Sequence, residues 1–115
     1  MIHEMKLKEK PFNNIKEGIK KIELRLYDEK RQKINLNDYI IFHKITDSSE
    51  TLKVKVVGLL RYNSFEDLFK DVDFNLSGPA NSLEEKLKSI HEIYTVQEEN
   101  KYGVLGIAIE NVKTK

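Results

Sequence analysis

The stretch GIKKIELRLYDEKRQ, residues 18–32, decides the fold. Within it residues 21–27 alternate: Ile22, Leu24 and Leu26 point one way, and Lys21, Glu23, Arg25 and Tyr27 the other. Side chains of a β-strand alternate between its two faces, so this pattern specifies a strand with one dry face and one charged face. A charged face either solvates open surface as a ladder of ion pairs or forms the wall of a site.

Working outward, residues 3–8 alternate as a first strand, and Pro11 opens a short helix in which Phe12 and Ile15 share a face and Gly18 is placed to stop it. Beyond the charged loop, Asn37 and Asp38 supply a turn before YIIFH, whose nearly continuous apolar character predicts a strand buried on both sides. TDSSE reads as a hairpin connection into a long strand over residues 51–62, with Gly58 marking a bulge. Ser64 is placed to cap a helix carrying Phe65, Leu68 and Phe69. After the turn-rich SGPANS, Ser82 and Glu85 form a capping-box pattern, and Leu83, Leu87, Ile90 and Tyr94 trace one face of a single following helix. YGVLGIAIENV supplies a closing strand. About five strands in a mostly antiparallel sheet, flanked by short helices, predict an α+β fold with the sheet curled into a compact barrel. Closure would remove the exposed edges of such short strands.

The 115 residues suit a single domain over 1–115 with one modest core. No cysteine occurs, which excludes disulfides, thiolate nucleophiles and cysteine metal sites, and makes a cytoplasmic location the expectation. No apolar run is long enough to span a membrane. The net charge of +1 hides an asymmetry: residues 1–37 hold ten Lys and Arg against six Asp and Glu, whereas residues 63–99 hold three against nine. If the basic segments converge, they create a local field suited to an anionic ligand. His3, His43 and His91 are scattered without a zinc-like spacing, and the glycines form no nucleotide-binding fingerprint, so no metal and no cofactor is called for.

Taken in order, the helix ending at Gly18, Lys20, Ile22-Glu23-Leu24-Arg25, the charged loop, the Asp38 turn, SFEDLF after a tyrosine and the late KYGVLGI resemble the ASCH domain. That family is a branch of the PUA-like β-barrels, and the likeness is to its small free-standing bacterial and archaeal members. The resemblance implies a pseudo-barrel with a cleft lined by the Gly-x-Lys turn and the following strand. It also implies a link to RNA. One branch with this fold hydrolyses the amide of N4-acetylcytidine using the lysine of that turn, a Thr on the next strand and a later Glu. Lys20 falls on the lysine position. Glu23 stands where the Thr would be, so the hydroxyl nucleophile is missing, and the stretch where the later acid would lie offers Asp71 and Asp73.

Lys20 and Glu23 are therefore the candidate catalytic pair, and Lys20, Lys21, Glu23, Arg25, Tyr27, Lys30, Arg31 and Tyr102 the candidate ligand-binding set. Lys21 and Arg25, two residues to either side of Glu23, are placed to keep its carboxylate ionised. An ionised Glu23 could accept from an exocyclic amino group such as that of cytosine, while Arg25 stacks on the base or grips a phosphate. Lys30 and Arg31 are placed to contact phosphate or sugar. Tyr27, Tyr62 and Tyr102 stand near strand ends, where a ring could stack on an unpaired base, and Gly103 beside Tyr102 permits close approach of a ligand or a second backbone. Three readings follow. The first is a binding domain for RNA or a modified nucleoside. The second is a small hydrolase, such as an N4-acylcytidine amidohydrolase or a ribonuclease, and the third is a protein-interaction module. Oligomeric state is left open.

Overall fold

The computed structural model describes residues 1–112. Among them run β1 (Ile2–Leu7), α1 (Glu9–Lys16), β2 (Ile22–Leu26), β3 (Tyr39–Lys44), β4 (Asp47–Tyr62), α2 (Phe65–Asp71), α3 (Leu83–His91), α4 (Val96–Tyr102) and β5 (Val104–Asn111). The strands form one curled sheet in the order β1-β3-β4-β5-β2, with β1 and β3 parallel and the other three pairs antiparallel. It is an α+β half-barrel: β1 and β2 are its two edges, and the described residues contain no strand pairing between them. Side chains bridge this seam instead, with Arg25 on β2 donating to the Lys6 carbonyl on β1 at 3.2 Å.

Local sequence accounts for most elements. Ser64 and Ser82 cap α2 and α3 by accepting from the Asp67 and Glu85 amides. Gly18, at φ +79°, reverses the chain after α1. The long β4 shifts register between Val56 and Gly58, the bulge that lets one strand serve both β3 and β5. β4 begins at Asp47, so the connection from β3 is tighter than TDSSE suggests. In β3, Ile40 and Phe42 are fully buried while Tyr39, Ile41 and His43 are half-exposed, so this strand buries one face.

The single helix expected after Ser82 is two. α3 ends at His91 and α4 begins behind Thr95, whose hydroxyl accepts from the Glu98 amide while the Glu98 carboxylate accepts from the Thr95 amide. This reciprocal capping box starts a new helix, and the Thr95-x-x-Glu98 signal for it stands in the sequence.

Two apolar clusters hold the layers together. Inside the curl, Phe12 and Ile15 of α1 pack on Met5, Ile40, Phe42, Val54, Leu105 and Ile107. On the opposite side of β2 and β5, the helices pack Phe65, Leu68, Phe69 and Ile90 against Leu26 and Val104. β2 thus lies between two buried layers.

Candidate functional site

Pairing with β5 fixes which way each residue of β2 faces. Glu23 lies opposite Ile107 and Arg25 opposite Leu105, both residues of the inner cluster. Directly paired residues share a sheet face, so the charged side of β2 points into the half-barrel and the apolar side of Ile22, Leu24 and Leu26 meets the helices. The solvated-ladder alternative fails at Glu23, which is 3% exposed.

Glu23 is gripped from both sides. Lys20 Nζ lies 2.8 Å from Oε1, and Arg25 approaches Oε2 with NH2 at 2.8 Å and Nε at 3.0 Å. Burial by itself pushes the Glu23 carboxyl up, but the combined charges and hydrogen bonds of Lys20 and Arg25 outweigh it and hold the group below its ordinary value. Lys20 reaches this position because the Ile19 and Lys20 amides both donate to the Asn14 carbonyl, folding the chain back after Gly18. β2 begins only at Ile22, so strand alternation does not extend back to Lys21. Lys21 is exposed and lines a different depression, beside Glu110 and Asn111. Lys20 supplies the cation expected from Lys21.

The triad forms part of the wall of a cavity of about 320 Å³ in the seam of the half-barrel. β1 and the start of α1 contribute Lys6, Leu7, Lys8 and Pro11; the helical side contributes Lys86, Ser89, Ile90 and Tyr94. Ile45 and Ile93, 58% and 64% exposed, add apolar surface. Five lysines and arginines (Lys6, Lys8, Lys20, Arg25 and Lys86) line this cavity with a single acid, Glu23, among the described residues.

Lys86 was not singled out by the sequence reading. Its ammonium donates to the Ser77 and Gly78 carbonyls at 3.2 and 2.9 Å, pinning the SGPANS turn to the cavity wall. Burial, the nearby Lys20 charge and, more weakly, Lys10 lower its pKa to about 8, against the opposing pull of Glu23. The available signal was positional: Lys86 stands three residues after Leu83 and four before Ile90, on the apolar stripe of α3. Tyr94, also on the wall, has its hydroxyl pKa raised chiefly by burial and stays a donor at neutral pH.

The remaining candidates lie elsewhere. Tyr27, Tyr62 and Tyr102 do converge, but on a separate depression with Arg61 and Lys101, where the Arg61 guanidinium sits 4.0 Å from the Tyr27 ring centroid. The backbone that Gly103 admits is β4: a Cβ there would meet the Tyr62 carbonyl at 3.2 Å. Lys30 and Arg31 line a trough that adjoins the cavity. Asp71 accepts from the Tyr62 hydroxyl and Asp73 caps a 3-10 turn at Phe74–Ser77, so neither lines the cavity. Among the described residues no cluster of three potential metal ligands occurs, and no helix is long and apolar enough to cross a membrane.

Five curled strands, four flanking α-helices and a charged cavity at the unclosed seam make this an α+β half-barrel domain. The chain belongs to the ASCH domain family, whose model matches residues 5–113. Among solved structures it is similar to the hypothetical protein PH0355, at 42% identity and a TM-score of 0.87 over 97% of this chain and 100% of that one. It is also similar to protein PF0455 from Pyrococcus furiosus, at 37% identity and a TM-score of 0.79 over 99% of this chain and 100% of that one. ASCH from Zymomonas mobilis shares the fold at 10% identity, with a TM-score of 0.67 over 96% of this chain and 67% of the other. No curated protein matches the sequence.

Proposed function

We propose that the seam cavity binds one base of an RNA, or of a modified nucleoside, with Glu23 as the hydrogen-bond acceptor. The family is generally associated with RNA binding. The observation that carries the reading is a carboxylate residue only 3% exposed, held ionised by Lys20 and Arg25, in a cavity whose other charged lining residues are all cations among the described residues. An ionised carboxylate offers about four acceptor positions. Lys20 takes one at Oε1, leaving a second on that oxygen for an exocyclic amino group such as that of cytosine. The volume is at the small end for ligand pockets, which suits a single nucleoside. Ile45 and Ile93 offer apolar contact to a ring, and the surplus positive charge favours an anionic ligand.

The test is binding of cytidine, N4-acetylcytidine and a short single-stranded RNA to the wild type, Lys20→Ala and Arg25→Ala. Salt-sensitive binding that weakens in both variants is expected. Unchanged affinity in both would remove this cavity from the account. Following the same mixtures for deacylated or cleaved product separates a binding domain from a hydrolase, which would act on its ligand and lose that action in Lys20→Ala.

A further inference from the structure

Lys6 and Arg25 line two depressions at once: the seam cavity, and a second trough of about 490 Å³. The trough is bounded by β1, the C-terminal end of β3 and the loop after β2, which contribute Glu4, Lys30, Arg31 and His43. Glu4 is its single acid among the described residues, and the Glu4 carboxylate lies 2.9 Å from His43 Nε2. Arg31 is held by Asp28 at 3.0 Å, which fixes the guanidinium rather than leaving it to sweep solvent. Lys30 is exposed, and among the described residues its ammonium donates to the Glu4 carbonyl, at 3.4 Å. Arg25 is anchored by Glu23 on one side and the Lys6 carbonyl on the other, so its guanidinium stands between the two depressions.

Resting on the reading of the seam cavity as a base site, we infer that this trough is a phosphate subsite. The ligand is a nucleotide whose sugar-phosphate passes Lys6 and Arg25 and runs out along Lys30 and Arg31. Arg25 is the shared element: one edge of its guanidinium is committed to Glu23, and the planar fork suits a second, charge-assisted contact with phosphate oxygen. Two sources supply this chemistry, a free mononucleotide and the phosphodiester of a single-stranded chain. They differ in reach, because only a chain extends the length of the trough and engages Lys30.

Cytidine, cytidine 5′-monophosphate, cytidine 3′-monophosphate and a single-stranded pentacytidylate are compared by calorimetry at low and moderate salt, with wild type, Lys30→Glu and Lys30→Arg. At least one phosphate-bearing probe is expected to bind about tenfold more tightly than cytidine at low salt, an advantage that shrinks as salt rises. If a chain is the source, Lys30→Glu cuts the pentanucleotide preference and lowers its salt slope by about one, and Lys30→Arg restores it. If a mononucleotide is the source, the monophosphate and pentanucleotide bind alike. Cytidine binding as tightly as every phosphate-bearing probe overturns the subsite while leaving the base cavity intact. No binding of any probe overturns the cavity reading and the subsite with it.

Discussion

Lys20 Nζ sits 2.8 Å from Glu23 Oε1, with the two side chains only 9% and 4% exposed. A turn residue and a strand residue three positions apart are thereby locked into one buried ion pair, which Arg25 completes. Both the stability of the edge strand β2 and the chemistry of the cavity depend on this arrangement.

Removing the charge at the centre of the triad leaves the buried Lys20 ammonium and the partly buried Arg25 guanidinium without their counterion. Breaking such a pair costs about 3 kcal/mol or more, which for a domain of this size lowers the melting temperature on the order of 10 °C. Glu23→Gln is expected to show that loss in thermal melts. Lys21→Ala, on exposed surface, should leave the melting temperature nearly unchanged. Equal melting of the two variants would contradict the buried triad.

Lys86 confers a pH dependence on the cavity. Its folded pKa, about 8, lies below the ordinary lysine value of 10.5, so the ammonium loses its proton as pH passes upward through about 8. The cavity then has one positive charge fewer. Affinity for cytidine 5′-monophosphate is expected to fall between pH 7 and pH 9, and the step should be missing in Lys86→Met. A flat wild-type profile over that range would dissociate Lys86 from ligand binding.

At the opposite end of the sheet, Asp38 lies 2.8 Å from His3 Nε2, accepts from the Asn35 amide at 2.9 Å and pairs with the N-terminal ammonium at 3.3 Å. The His3 contact leads, and together these bring its pKa down from 3.8 to about 2. A folded pKa below the unfolded one means the stabilisation is full above about pH 4 and is lost as pH falls toward 2. Urea midpoints should therefore drop more between pH 4 and pH 2 for the wild type than for Asp38→Asn, and parallel curves would count against the contact network.

The α4 capping box is open to direct measurement. Thr95→Ala removes the hydroxyl that accepts from the Glu98 amide, a loss of about 1 kcal/mol for a helix N-cap. Glu99 on α4 also accepts from the Phe65 amide at the start of α2, so fraying there should reach α2. Hydrogen exchange is expected to quicken in both helices, and exchange confined to α4 would show that the two are not coupled.

Sequence by itself determined the strands, the caps and the bulge, because alternation, Ser64, Ser82 and the Gly58 register shift are local features whose chemistry acts within a few residues. It also isolated Glu23 and Arg25 as a charged strand face. The break between α3 and α4 was legible too, in Thr95 and Glu98, but the continuing apolar spacing to Tyr94 masked it. Tertiary structure alone decided where the charged face points. Alternation says that two faces differ, not which one meets the core, and β2 lies between two apolar layers with its polar side opposite Leu105 and Ile107. Likewise, only the meeting of β1, β2 and α3 at an unclosed seam brings Lys6, Lys20, Arg25 and Lys86 around one carboxylate. Lys6 and Lys86 stand eighty positions apart in the chain, and no local pattern encodes a contact made by sheet curvature.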